Sequence, residues 1–206
     1  MRKTDFNHNA WLVLAVLSVS LASCSETDEV EGDDTSRYRL STEFLGNTQV
    51  LGVENDANAD NDSGFSFIFQ PVRNDIEVSG VILTPRNQEW IISRVDDRYY
   101  RISNRMVGTS LSLDIVNDGV FDRLKLAPSE TRSGQEWQLT PLEDGRCRLT
   151  TEFLGAETSL DVTSDTTPPM LTMRTNGNFS GQKWVLKQLG SGDSNLDNLC
   201  PGPTGS

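Results

Sequence analysis

The chain is predicted to be an all-β protein in which one supersecondary unit is used three times. Two observations carry that prediction. Ser133-Gly134-Gln135-Glu136-Trp137 recurs 47 residues on as Ser180-Gly181-Gln182-Lys183-Trp184, and 47 residues before as Asn87-Gln88-Glu89-Trp90. A fixed period of this size marks a copied structural unit. Around these segments, apolar and polar residues alternate in short runs bounded by Gly, Asn, Asp and Pro, which is the pattern of strands. Nothing after the leader shows helical periodicity.

The leader comes first. Arg2 and Lys3 precede an apolar run from Ala10 to Leu21, shorter than the ~20 residues a membrane span needs, so 1–23 reads as a secretory signal. Residues 24–36 follow with Glu26, Asp28, Glu29, Glu31, Asp33 and Asp34. That stretch has too little apolar surface to fold and reads as an extended tether. The formal net charge is -12, and -13 once the leader's Arg2, Lys3 and Asp5 are removed. Such a surface repels a phosphate backbone, which argues against nucleic acid as a partner. The only histidine, His8, lies in the leader. The rest of the chain therefore cannot run Ser-His or Cys-His catalysis or build the usual zinc sites. No catalytic residue, metal or cofactor is expected.

Each repeat then supplies four strands, twelve in all. The first is Tyr38-Arg39-Leu40, Tyr100-Arg101-Ile102 or Cys147-Arg148-Leu149, closed by a turn at Gly46, Gly108 or Gly155. The second is Val50-Leu51-Gly52-Val53, Leu111-Ser112-Leu113-Asp114-Ile115 or Ser159-Leu160-Asp161-Val162. The third is Leu124-Lys125-Leu126 or Met170-Leu171-Thr172-Met173, and the fourth begins at Trp90, Trp137 or Trp184. These give lobes of about 37–98, 99–145 and 146–189, followed by a polar tail at 190–206. Lobe one is longer, because 62 residues separate Arg39 from Arg101 where the other lobes repeat at 47. Its third strand is either Phe67-Ile68-Phe69-Gln70-Pro71 or Val81-Ile82-Leu83. Both registers leave a protruding loop, a common place for function.

Two resemblances add to this reading. Leu21-Ala22-Ser23-Cys24 resembles the lipobox of bacterial lipoprotein precursors, which implies that Cys24 becomes the lipidated first residue and anchors the protein to a membrane. Ser25 and the acids beyond it are similar to sorting signals for the outer membrane and cell surface; a plain solvated spacer is the other reading. Three Gln-x-Trp motifs in phase with three Leu-(Asp/Gly)-(Val/Ile) segments resemble the ricin-B-type lectin β-trefoil, over about 37–189. That resemblance implies a β-trefoil with Trp90, Trp137 and Trp184 in its core, and a monomer that binds carbohydrate without cleaving it. The family's sugar sites combine an aspartate in the second strand, an aromatic platform on the third and an amide near Gln-x-Trp. Asp114 and Asp161 match the aspartate, the other reading being a structural role that ties the second-strand loop to backbone amides, whereas lobe one has Gly52. The platform falls on Ala127, Arg174, and Gln70 or Thr84. Gly134 and Gly181 stand where the amide belongs, and only Asn87 keeps it. No lobe is complete, so the resemblance makes Asn176, Asn178 and Phe179 substitutes in lobe three.

Asp56-Ala57-Asn58-Ala59-Asp60-Asn61-Asp62-Ser63-Gly64 has clustered oxygens but lacks the glycine and the bidentate glutamate of a calcium loop, and reads as a solvated turn. Cys147 and Cys200 remain once Cys24 is lipidated. They either form a disulfide pinning the tail, as exported chains allow, or leave Cys147 as a small buried residue. The function that follows is a lipid-anchored, carbohydrate-binding envelope protein; the alternative is a protein-binding trefoil acting through the lobe-one insertion. A trefoil that has lost any binding role is a third reading. Glycoside hydrolysis by Asp114 and Asp161 is disfavoured, because threefold symmetry separates them.

Overall fold

The computed structural model describes residues 36–57, 63–73, 76–78, 81–83, 85–117, 119, 122–189 and 200. The signal, Cys24, all but the end of the tether, and the tail except Cys200 lie outside the described residues. Among the described residues there are fourteen strands, three short 3-10 turns and no α-helix. Lobe one supplies β1 (Arg37–Thr42), β2 (Gln49–Asn55), β3 (Phe65–Pro71), β4 (Ile76–Val78), β5 (Val81–Leu83) and β6 (Trp90–Arg94). Lobe two supplies β7 (Tyr100–Asn104), β8 (Leu111–Asn117), β9 (Asp122–Pro128) and β10 (Trp137–Pro141). Lobe three supplies β11 (Cys147–Thr151), β12 (Gly155–Thr163), β13 (Met170–Thr175) and β14 (Trp184–Gln188).

The first and fourth strands of the three lobes close into a six-stranded ring, β10-β7-β6-β1-β14-β11, with β10 returning to β11. The second and third strands form the hairpins β2-β3, β8-β9 and β12-β13. This is a β-trefoil. The ladders explain why one lobe cannot stand alone. Between lobes, β6-β7, β10-β11 and β14-β1 each align five residue pairs. Within a lobe, the first and fourth strands meet only around the tryptophan, at Tyr38↔Trp90, Tyr100↔Trp137 and Cys147↔Trp184, with one further pair in lobe one. Most barrel hydrogen bonding is therefore made with a neighbouring lobe, as expected of stacked repeats.

Burial follows the same symmetry. Trp90, Trp137 and Trp184 are each 0% exposed, and the leucines preceding the Gly/Asp position, Leu51, Leu113 and Leu160, pack with them. Every indole Nε1 donates to the carbonyl of that leucine, Trp90 to Leu51 at 2.9 Å, Trp137 to Leu113 at 2.8 Å and Trp184 to Leu160 at 2.9 Å. A buried indole N–H needs such a partner. The turns after the first strands put Gly46, Gly108 and Gly155 at φ of 67°, 75° and 73°, the left-handed region where a Cβ is penalised.

Lobe one departs from the expected twelve strands. β3 pairs with β2 along its full length, placing Gln70 opposite Val50, so the Phe67–Pro71 register is the one adopted. Val81-Ile82-Leu83 belongs to a separate hairpin with Ile76-Glu77-Val78. Both runs are rich in β-branched residues and only Ser79-Gly80 separates them in sequence, a connection short enough for a two-residue hairpin. Thr84 lies outside the described residues.

Candidate functional site

The motif glutamines are latches. In each lobe the glutamine sits in the 3-10 turn before the tryptophan and is 0% exposed. Gln88 donates from Nε2 to Pro71 O at 2.8 Å and accepts from Arg73 N–H at 3.0 Å. Gln135 does the same with Pro128 O (2.8 Å) and Glu130 N–H (2.9 Å), and Gln182 with Thr175 O (3.0 Å) and Gly177 N–H (2.9 Å). The amide thus replaces the ladder partners that the third strand loses where it leaves its hairpin.

The aspartates sit behind this latch. Asp114 is 1% exposed and Asp161 2%. Gln135 Nε2 also donates to Asp114 Oδ2 at 3.1 Å. Burial raises the Asp114 pKa above the ordinary aspartate value, against the pull of Gln135, Arg132 and Lys125. Burial likewise raises that of Asp161, opposed first by Arg174 and then by Gln182. The glycine before each glutamine is explained by this packing. A Cβ on Gly134 would strike the Asp114 carboxylate and the Ile115 carbonyl, and one on Gly181 would strike the Asp161 carboxylate and the Val162 backbone. Lobe one solves the same problem in reverse. Gly52 replaces the aspartate, Gln70 Nε2 fills the space where a Cβ would sit, and Asn87 is accommodated in the turn. The missing amide and the missing aspartate are thus two halves of one packing exchange.

Lobe three brings several candidate residues together. Arg174, at the platform position on β13, sets its guanidinium 3.7 Å from Asp161, 3.5 Å from Asp165 and 5.4 Å above the Phe179 ring. Phe179 is 49% exposed and packs against Gly177. Asn176 and Asn178 line a separate open groove of about 580 Å³ with Arg148, Asp144 and Lys183. The Asn176 amide donates to Ala156 O, and its Oδ1 has no partner among the described residues. Lobe two has no counterpart to the ring, since Ala127 is 3% exposed and Arg132 stands where lobe three has Phe179.

Two threefold features were legible as repeats but not as roles. The first-strand arginines donate to the carbonyl of the residue whose N–H the glutamine accepts: Arg39 to Arg73 at 2.7 Å, Arg101 to Glu130 at 2.9 Å and Arg148 to Gly177 at 2.9 Å. The variable residue of Gln-x-Trp meets the turn of the next lobe. Lys183 pairs with Glu43 at 3.0 Å and Glu89 with Arg105 at 2.7 Å. At the third boundary Glu136 meets Glu152 instead, and their shared hydrogen bond raises the Glu136 pKa. Only the fold shows which lobe follows which around the ring.

Cys147 and Cys200 are joined by a disulfide with Cα atoms 5.4 Å apart, and both are buried. At the turn read as solvated rather than calcium-binding, Asp56 Oδ2 accepts from Ser66 Oγ at 2.7 Å, while Asn58 to Asp62 lie outside the described residues. Among the described residues no group of three or more His, Cys, Asp or Glu could hold a metal ion.

Residues 86–171 match the family described as "Ricin-type beta-trefoil lectin domain-like". No curated protein matches the chain. Among solved structures, the designed threefold-symmetric protein ThreeFoil is similar at 25% identity and a TM-score of 0.56, over 74% of this chain and 99% of that one. An exo-β-1,3-galactanase from Clostridium thermocellum is similar at 21% identity and a TM-score of 0.55, over 75% of this chain and 30% of that one. The Polyporus squamosus lectin, solved with Neu5Acα2-6Galβ1-4GlcNAc, is similar at 16% identity and a TM-score of 0.53, over 74% of this chain and 48% of that one. The chain thus spans under half of the galactanase and of that lectin. With a threefold barrel across the described body, the fold is a β-trefoil, and over residues 86–171 the chain is similar to the ricin-type lectin-like family.

Proposed function

We propose that the protein is a non-catalytic, monomeric carbohydrate-binding module, held to the bacterial cell envelope by a lipid on Cys24. The observation that carries the binding role is lobe three. Of the three positions equivalent by repeat, it alone sets an exposed ring, Phe179, beside a cation, Arg174, and two carboxylates, Asp161 and Asp165. A ring face covers the C–H patch of a sugar, and charged donors and acceptors engage its hydroxyls. Asp161 is too buried to be the main contact, so it orients Arg174. The platform has in effect moved from β13 to Phe179, before the Gln-x-Trp turn. Asn176 and Asn178 extend the contact along the neighbouring groove, and Asp114 is assigned to packing.

Glycan-array binding by the full chain tests this. Phe179→Ala, an exposed change, is expected to abolish binding, whereas Asp114→Asn is expected to spare it where the variant folds. Full binding by Phe179→Ala would move the site elsewhere, and no glycan bound would defeat the reading. The β4-β5 hairpin favours the second reading, protein binding through lobe one; a partner lost on deleting residues 76–83, with glycan binding absent, supports it. Anchoring is tested separately, by partition into membranes and its loss in Cys24→Ala.

A further inference from the structure

We propose that the cavity on the outer face of the β1-β14 ladder is a binding site for a small carboxylate with a compact apolar body. The cavity is about 280 Å³, near the lower end of the ~300–1,000 Å³ usual for ligand sites. Two cross-strand pairs, Arg39↔Lys187 and Ser41↔Val185, line one side of it. Val50 and Val72 form the apolar wall.

The cavity follows from substitutions particular to lobe one. Val50 and Val72 occupy the places of Ser112 and Ser129 in lobe two and of Ser159 and Asn176 in lobe three. In lobe two those serines fill the space with a hydroxyl chain, Ser103 to Ser112 at 3.2 Å and Ser112 to Ser129 at 2.6 Å. In lobe three the Asn176 amide reaches across to Ala156 O, and Asn176 and Arg148 line a polar open groove instead. Valines cannot bridge, so the space stays open and apolar.

Charge points to the ligand. Arg39 is 8% exposed, and its Nε has no hydrogen-bond partner among the described residues. Directly across the ladder stands Lys187, a like charge where opposition is unfavourable. The equivalent arginines lack Nε partners too, yet Arg101 faces Ser93 and Arg148 faces Thr140. Neither Arg39 nor Lys187 has a carboxylate within ion-pair distance among the described residues. Glu43, the cavity's own acid, is held by Lys183 at 3.0 Å. In a chain of net charge -12, two cations on the lining of an apolar cavity, the buried Arg39 and the exposed Lys187, with no carboxylate paired to either among the described residues, suit an anion carrying a hydrocarbon group. This site shares no residue with the Asp161–Arg174–Phe179 cluster and does not depend on the sugar reading.

Calorimetric titration of the full chain with hexanoate, hexanamide, acetate and inorganic phosphate tests it. Hexanoate is expected to bind about tenfold or more tightly than hexanamide, because charge-assisted bonds outweigh neutral ones. It should also outbind acetate, which buries less apolar surface, and phosphate. Lys187→Gln, an exposed change whose Tm should not move, is expected to weaken hexanoate severalfold, and Val72→Asp to abolish it. Hexanamide or phosphate binding as well as hexanoate, unaltered hexanoate binding in Lys187→Gln, or no hexanoate binding would each overturn the proposal.

Discussion

Replacing the latch glutamines by leucine should cost different amounts in different lobes, although the three residues are equivalent in sequence. Leucine nearly matches glutamine in volume, so the loss is polar rather than a cavity. Gln88 makes two bonds, to Pro71 O and Arg73 N–H; at about 1 kcal/mol net for each neutral bond, Gln88→Leu should cost about 2 kcal/mol. Gln135 makes the same two and a third to the buried carboxylate of Asp114. A bond to a charged group is worth about 1.5–3 kcal/mol, so Gln135→Leu should cost about 3.5–5 kcal/mol. The excess should depend on pH. The Asp114 pKa is already raised by burial, so the folded state binds its proton more tightly than the unfolded state does. That contribution to stability is complete below the unfolded value and lost as pH rises through the folded value. Removing the amide raises the folded pKa further, so the gap between wild type and Gln135→Leu should widen above the aspartate range and narrow in acid. Urea unfolding at several pH values, with the disulfide intact, reads both effects. Equal, pH-independent costs for Gln88→Leu and Gln135→Leu would refute the idea that the amide stabilises a buried carboxylate by hydrogen bonding.

Three further outcomes are expected. Glu152→Arg would give the lobe two–three boundary the charge pairing that Glu89 and Arg105 give its neighbour, adding about 0.5–1 kcal/mol at pH 7. Because the Glu136 pKa is raised, the wild-type pair loses stability as pH rises through its folded value. The variant's advantage should therefore vanish in acid, and an advantage equal at pH 4 and pH 7 would contradict this. Gly134→Ala should cost about 1–3 kcal/mol from overpacking against Asp114 and Ile115, and an unchanged urea midpoint would show that the turn can shift. Cys200→Ala opens a link between residues 53 apart in sequence and should lower stability by about 2–4 kcal/mol in thermal unfolding; no loss would mean that the bond constrains little of the unfolded chain.

The candidate site shows where reading residues in line stops working. Gly134, Gly181 and Gly52 look like defects in a binding pattern when each motif is taken alone. In space, Gly134 makes room for Asp114, Gly181 for Asp161, and Gly52 for Gln70. Sequence position brought Asp161, Arg174 and Phe179 to notice separately. It did not show that a guanidinium would bridge the other two, because that depends on side-chain direction across β12 and β13 and on the path of the turn after β13.

Period and alternation alone determined the class of this protein: strands rather than helices, three copies rather than one, and tryptophans at equivalent places. Those features are local, repeated, and set by backbone sterics and by which faces shed water. The resemblance carried by the three Gln-x-Trp motifs extended that to the trefoil. Tertiary structure alone decided how deeply Asp114 and Asp161 are buried, that lobe one forms a fifth and sixth strand, and that Arg39 faces Lys187 across a ladder joining the first lobe to the last. Each of these depends on contacts between residues far apart in the chain, whose meeting is fixed only when the ring closes.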